Sequence, residues 1–125
     1  MKYILFVVLV AQFIFTGCSS AQQKNSNEST EVAQEKDANQ IDFENAQFID
    51  VRTPGEFETG SFAEAVNIPL NELESRLDEI DKNNQVVVFC RSGGRASNAL
   101  QILEKNGFNN VINGINTAKL QSLEK

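Results

Sequence analysis

The stretch of sequence that most constrains the fold is VVVFCRSGGRASNA, residues 86–99. Its opening run of β-branched and aromatic residues predicts a strand that is buried on both faces and ends at Cys90. A Ser-Gly-Gly turn follows shortly after the cysteine. A buried strand, a tight turn and a helix in succession are typical of an α/β fold, where ligands bind at the carboxyl ends of the strands.

The helix after this turn is predicted to begin near Arg95 and to end at Asn106-Gly107, a typical C-cap pair. Its amino terminus would offer unpaired N–H groups and a positive partial charge to the thiol of Cys90. We therefore expect this thiol to ionise easily. The apolar positions of the helix follow i, i+3, i+4, i+7 spacing: Ala96, Ala99, Leu100 and Leu103.

The rest of the domain alternates short strands with helical patterns. This alternation predicts an α/β fold with a small, mainly parallel sheet that is flanked by helices on both faces. Thr53, Pro54 and Glu56 form a capping-box pattern at the start of the first helix. The predicted strands are 48–51, 65–67, 86–89 and 110–112, and the other predicted helices are 54–59, 70–80 and 118–123.

Cys90 is the candidate nucleophile, because several features converge on it. No residue of 91–95 is a proline, so all five backbone N–H groups can line a cradle for a negative group on sulfur. Arg91 and Arg95 add two cations in a chain that has 17 Asp+Glu against 11 Lys+Arg. An inert buried thiol would need neither arginine. The predicted substrate-binding residues are Arg91, Ser92, Gly93, Gly94 and Arg95.

Asp50 and Arg52 are interpreted as structural residues beside the site. Asp50 can accept backbone N–H groups of the turn that follows it, and Arg52 can pair with Glu56 or Glu58 and so hold the loop that borders the cysteine. The chain has no histidine, which excludes activation of the cysteine by an imidazole. It also has no pattern of metal ligands, so we expect neither a metal nor a cofactor.

Two segments carry a family resemblance: DVRTPGEFETGSFAEAVNIPL and CRSGGRASNAL. Together they resemble a single-domain rhodanese over roughly residues 41–115. The resemblance implies a sulfurtransferase that carries sulfane sulfur as a persulfide on Cys90. Two departures stand out, since Ser61 occupies the place of the family's usual histidine, and the last segment lacks the usual Gly-Gly-x-x-x-Trp pattern.

The implied reaction moves sulfur from thiosulfate or a polysulfide to a thiol or cyanide. Its partners would be a small anionic sulfur donor and a thiol acceptor or thioredoxin-like reductant, without nucleic acid, and the domain would act as a monomer. Two alternatives stay open. Phosphatases and arsenate reductases of related fold use a similar loop, but their Cys-x-x-x-x-x-Arg is one residue longer than the spacing from Cys90 to Arg95. A non-catalytic envelope module that binds a partner is the other alternative.

The amino-terminal part of the chain looks like an export signal. Residues 1–17 combine one lysine with an apolar run, and Thr-Gly-Cys followed by two serines resembles a bacterial lipobox. We therefore predict a signal peptide over 1–17, lipidation of Cys18, a flexible tether over 18–40 and the folded domain over 41–125. These assignments predict a protein that is held at the membrane of the bacterial cell envelope by a lipid anchor.

Overall fold

A computed structural model describes residues 36–125 of the chain. Its centre is a four-stranded sheet whose strands are all parallel and lie in the order β2-β1-β3-β4. This architecture confirms the predicted fold class. The strands are β1 (Gln47–Asp50), β2 (Val66–Asn67), β3 (Val86–Cys90) and β4 (Val111–Asn116), and the α-helices are α1 (Pro54–Glu58), α2 (Gly94–Lys105) and α3 (Thr117–Leu123).

An apolar layer covers each face of the sheet. On one face the buried positions of α2 pack against alternate residues of β1 and β3, and on the other Leu120 of α3 packs with Phe48, Phe62 and Phe89. Every residue of β3 is buried, as its uninterrupted apolar run predicts. The buried positions of α2 are the predicted ones: Ala96, Ala99, Leu100 and Leu103.

Local capping signals in the sequence are realised in the structure. Glu56 N–H donates to the Thr53 side chain while the Glu56 carboxylate accepts from Thr53 N–H, so the capping box of α1 is formed. Helix α2 ends at Asn106, and Gly107 follows with a φ of 88°. There the N–H of Phe108 donates to the carbonyl of Leu103, which closes a Schellman motif.

The predicted helix over 70–80 is wrong. This segment forms two 3₁₀ turns, Leu73–Ser75 and Leu77–Glu79, which are separated by Arg76. Leu73 and Ile80 are buried, as the apolar spacing requires, but the segment closes its turns with i→i+3 hydrogen bonds. Apolar residues three and four positions apart can lie on one side of a pair of 3₁₀ turns as well as on one side of an α-helix. The spacing therefore identified the residues that face the core, but it did not identify the type of helix.

Strand β4 is longer than predicted and irregular. It runs to Asn116, and its pairing with β3 shifts register between Val88 and Phe89, so that Val88 lies opposite Asn113 and Phe89 opposite Ile115. Ile115 has a φ of 67°, which is rare for a β-branched residue. The irregularity therefore falls at the carboxyl edge of the sheet, where Cys90 also lies.

Residues 36–40, which the sequence analysis placed in the tether, contact the domain. Lys36 Nζ donates to the carbonyl of Asn109 and to Oδ1 of Asn110, and Gln85 Nε2 donates to the carbonyl of Gln40. The predicted signal peptide, the lipidation at Cys18 and most of the tether lie outside the described residues. Within residues 36–125, no helix is both long and apolar enough to cross a membrane.

Candidate active site

Cys90 ends β3 and points into the turn that starts α2. Its side chain is nearly covered, with 2% of the residue exposed, and the N–H of Gly93 donates to the sulfur at 3.1 Å. Gly93 is the N-cap of α2 and has a φ of 91°, a conformation that glycine adopts without strain. The local sequence therefore aims a helix amino terminus at the thiol, as predicted.

Two opposing effects set the acidity of this thiol. Burial raises the pKa of Cys90, but the backbone N–H groups of Ala96, Ser92, Gly93 and Arg95 around the sulfur lower it by more. The pKa of Cys90 therefore lies below its ordinary value. Of the cradle predicted over 91–95, Ser92, Gly93 and Arg95 contribute N–H groups, and Ala96 contributes one that the prediction did not include.

The side chain of Asn113, in β4, forms hydrogen bonds to the turn that follows Cys90. Its Nδ2 donates to the carbonyl of Gly93 at 3.2 Å and to Oγ of Ser97 at 2.9 Å, and its Oδ1 accepts from the N–H of Ile115. A Cβ on Gly93 would lie 3.5 Å from Cγ2 of Ile115. The irregular part of β4 therefore supports the turn that carries the sulfur.

Arg95 does not extend a free charge toward a substrate. Its guanidinium makes two parallel hydrogen bonds to the carboxylate of Glu56, at 2.7 and 2.8 Å. The two side chains are about a third exposed, at 35% and 31%. This pair holds the pKa of Glu56 well below its usual range and raises the pKa of Arg95.

Asp50 and Arg52 form a second ion pair on the neighbouring strand. Asp50 is fully buried and accepts from the Arg52 guanidinium, from the Arg52 N–H and from the hydroxyl of Ser61. The predicted contact from Asp50 to the turn is therefore confirmed. The predicted pairing of Arg52 with Glu56 or Glu58 is wrong, because in the folded domain the Arg52 guanidinium binds Asp50 and Glu56 binds Arg95.

The remaining predicted residues lie at the surface of the turn. Arg91, Ser92 and Gly94 are exposed, while Glu58 is exposed on α1 and has no side-chain hydrogen bond within residues 36–125. Among the described residues, no group of three or more His, Cys, Asp or Glu side chains is placed to hold a metal ion. The chemistry of this site therefore centres on one ionisable sulfur, a ring of backbone N–H groups and two ion pairs.

A family model described as a rhodanese-like domain matches residues 28–115. The chain belongs to the rhodanese-like family. It is 36% identical over 72 residues to a sulfurtransferase of Allochromatium vinosum, aligning 58% of this chain with 67% of that protein. It is 37% identical over 68 residues to the thiosulfate sulfurtransferase PspE of Escherichia coli, where 53% of this chain aligns with 65% of that protein.

Solved rhodanese structures have the same fold as this rhodanese-like domain. A rhodanese with anions from E. coli superimposes with a TM-score of 0.56 at 33% identity, covering 59% of this chain and 89% of that one. The alignment with an uncharacterised protein, YqhL, of Bacillus subtilis, to which the chain is 42% identical over 71 residues, spans only 56% of that protein's length.

Sequence reasoning missed three side chains of the rhodanese-like site. Glu56 was assigned only to the capping box and to Arg52, Ser61 was noted only as a departure from the family pattern, and Asn113 was not singled out. Asn113 carried a weak signal, since it is a polar residue inside an apolar strand pattern. Glu56 and Ser61 carried none, because their partners Arg95 and Asp50 are 39 and 11 positions away.

Proposed function

We propose that this domain is a sulfurtransferase that carries sulfur on Cys90 as a persulfide. The observation that carries this proposal is the buried sulfur at the amino terminus of α2, with the Gly93 N–H 3.1 Å away and a lowered pKa. A thiolate held in this way is a nucleophile, and the same N–H groups can stabilise the anionic outer sulfur of a persulfide.

With thiosulfate as donor, the Cys90 thiolate attacks the outer sulfur, and its electron pair forms the new S–S bond. The bond between the two thiosulfate sulfurs breaks, and sulfite leaves with that electron pair. The products are a Cys90 persulfide anion and sulfite, so atoms and charge balance without a proton transfer. A thiol or cyanide acceptor then takes the outer sulfur and restores the thiolate.

No general base is needed, because the attacking species is the thiolate, and the backbone N–H groups that lower the pKa of Cys90 favour that form. This agrees with the absence of histidine from the chain and with the role of Asp50, whose carboxylate is fully committed to Arg52, to the turn and to Ser61. The loop from Cys90 to Arg95 is also one residue shorter than the phosphatase spacing, and its N–H groups gather around one sulfur atom. Both features support sulfur transfer over phosphate ester cleavage.

Intact mass measurement of the purified domain tests this proposal. After incubation with thiosulfate, we expect the mass to rise by one sulfur atom, and we expect cyanide to remove that atom as thiocyanate. Cys90→Ser should remain folded and gain nothing, because a serine hydroxyl does not ionise there. A wild-type domain that takes up no sulfur from thiosulfate, a polysulfide or a persulfide would instead support the non-catalytic binding module.

We also propose that the mature protein is anchored to the cell envelope through an acylated Cys18. The apolar leader and the lipobox-like sequence support this location. With Cys18 acylated, Cys90 would be the remaining thiol and could form no internal disulfide, so turnover would require an outside thiol or a thioredoxin-like reductant. The test is the intact mass of protein from a membrane extract: a chain that begins at Cys18 and carries acyl groups supports the anchor, and one without lipid overturns it.

A further inference from the structure

The ion pair between Glu56 and Arg95 gives the site an unusual charge balance. The cysteine loop contains two arginines, but the carboxylate of Glu56 binds the Arg95 guanidinium through both of its oxygens. The neighbouring guanidinium, Arg52, is bound by both oxygens of the buried Asp50. Arg95 and Arg52 therefore each already have a negative partner.

These charges lie close enough to act on one another, and Arg95 also lies close enough to act on the sulfur. Asp50 and Cys90 both raise the pKa of Arg95, although less than the hydrogen-bonded Glu56 does, and Glu56 and Arg95 both affect the pKa of Arg52. The four side chains of the two pairs have a net charge of zero. The negative charge of Glu56 is permanent at neutral pH, because its pairing with Arg95 keeps its pKa far below its usual range.

The charge at the site during transfer depends on the donor. Thiosulfate is a dianion, so its encounter with the Cys90 thiolate brings three negative charges together. A protonated persulfide, R–S–S–H, brings only the charge of the thiolate. It gives a protonated Cys90 persulfide and a free thiolate, with atoms and charge again balanced. A carboxylate next to the loop therefore opposes the first reaction far more than the second.

We propose that Glu56 is a specificity-determining residue, which biases the Cys90 site against dianionic sulfur donors and toward persulfides or polysulfanes of low charge. This rests on the proposed sulfur transfer and names its donor class. Glu56 acts both directly, through its own charge, and indirectly, by occupying the guanidinium that would otherwise bind an anionic donor. The overall charge of the chain, −6, acts in the same direction.

Glu56→Gln tests the proposal with little structural change. Glutamine also completes a capping box with Thr53, and it can keep one hydrogen bond to Arg95 while it removes the negative charge. Two probe donors isolate the effect of charge, because thiosulfate and the methanethiosulfonate anion transfer the same kind of sulfane sulfur but differ by one unit of charge. The measured quantity is the ratio of kcat/KM for thiosulfate to kcat/KM for methanethiosulfonate.

We expect Glu56→Gln to raise this ratio about fivefold at low ionic strength, and added salt to reduce the gain. Glu58→Gln is the matched control, since it removes the same charge from the same helix at an exposed position that forms no ion pair within residues 36–125. Its ratio should stay close to that of the wild type. An unchanged ratio in Glu56→Gln, or an equal rise in both variants, would overturn the role of Glu56.

Alkylation of Cys90 gives a readout that does not depend on sulfur transfer. Iodoacetate and iodoacetamide have the same leaving group, but iodoacetate carries one more negative charge. Glu56→Gln should therefore raise the rate of alkylation by iodoacetate relative to the rate with iodoacetamide, while Glu58→Gln should not. A domain that accepts sulfur from neither of these donors, nor from a polysulfide or a persulfide, would overturn the proposed function, and the donor preference with it. Transfer from both donors, with both ratios unchanged in Glu56→Gln, would overturn the donor preference alone.

Discussion

Two segments lie side by side at the carboxyl edge of the sheet, and they handle charge in opposite ways. The cysteine loop, residues 90–95, stabilises the Cys90 thiolate with backbone N–H groups at the start of α2. The acidic segment, residues 50–61, carries Asp50 and Glu56, and each of these carboxylates neutralises an arginine. The N–H groups of the cysteine loop make the electrostatic potential at the site more positive, and the carboxylates of the acidic segment make it less positive.

The difference teaches that a basic sequence motif does not guarantee a basic site. Backbone N–H groups have no counter-ion and do not titrate, so their effect on the sulfur is permanent. An arginine side chain is mobile and can be captured by any carboxylate within reach, as Arg95 is by Glu56. The sequence CRSGGR therefore indicates the N–H cradle more reliably than it indicates the charge of the site.

The largest effect should come from breaking the acidic segment at its buried pair. Asp50→Asn removes the charge that compensates the Arg52 guanidinium, which is only 12% exposed. We expect the free energy of unfolding to fall by about 3 kcal/mol in urea denaturation. Asp78→Asn is the control, because Asp78 is exposed and forms no hydrogen bond within residues 36–125, and it should change stability by less than about 0.5 kcal/mol. Equal effects would contradict the structural role of Asp50.

The cysteine loop is tested by a pair of adjacent glycines. Gly93→Ala places a side chain at a φ of 91°, so we expect a loss of about 1–2 kcal/mol and a rise in the pKa of Cys90 as the Gly93 N–H moves away from the sulfur. Gly94→Ala meets open space at a position without positive φ and should be neutral or slightly stabilising. Thermal unfolding and the pH profile of iodoacetamide alkylation measure both effects. Similar values for the two variants would show that the turn tolerates a side chain.

A smaller effect is expected at Arg91, the exposed cation of the cysteine loop. Arg91→Ala should raise the KM for thiosulfate about threefold at low ionic strength, and salt should remove the difference, because an exposed charge acts through a screened field. Lys105→Ala makes the same change of charge in the last turn of α2, at the opposite end of the helix from Cys90, and should leave KM unchanged. If KM is unchanged in Arg91→Ala, the charge of Arg91 does not attract the donor, and only the backbone N–H groups do.

The smallest signal is the pH dependence of stability that the thiolate contributes. The pKa of Cys90 is lower in the folded domain than in the unfolded chain, so the folded state binds fewer protons between the two values. The contribution is fully present above the unfolded pKa, about 8.5, and is lost as the pH falls through the folded pKa. Relative to Cys90→Ser, the wild type should therefore gain stability as the pH rises from the folded pKa toward the unfolded pKa. A pH-independent difference would mean that the loop does not favour the thiolate.

Much of the domain could be predicted because its signals are local. The apolar run of β3, the capping box at Thr53 and the Asn106-Gly107 end of α2 each depend on residues a few positions apart. The position of Cys90 is also a local feature. Wherever a strand, a tight turn and a helix follow one another in this way, backbone geometry places the last residue of the strand at the amino terminus of the helix. The cradle could therefore be inferred in part: the N–H groups of Ser92, Gly93 and Arg95 belong to it, whereas that of Ala96 was not predicted.

The errors share a different cause. The apolar residues of segment 70–80 have helical spacing, but in the folded domain the segment forms two 3₁₀ turns. Arg52 had three carboxylates within reach along the chain, and only the folded arrangement selected Asp50. The shift in the pairing of β4 put Ile115 at positive φ, where a β-branched residue would not be expected. In each case the local sequence is compatible with more than one partner or backbone geometry, so it does not determine which of them the folded domain adopts.

The sequence by itself determined a parallel α/β domain with a cysteine sulfur at the start of a helix, because strand burial, turn chemistry and helix capping act over short distances. Only the tertiary structure decided the electrostatics of the site. The pairs Glu56–Arg95 and Asp50–Ser61 join residues from separate elements, and Asn113 reaches the turn from another strand. Charge interactions depend on distances through space, which the order of residues along the chain does not specify.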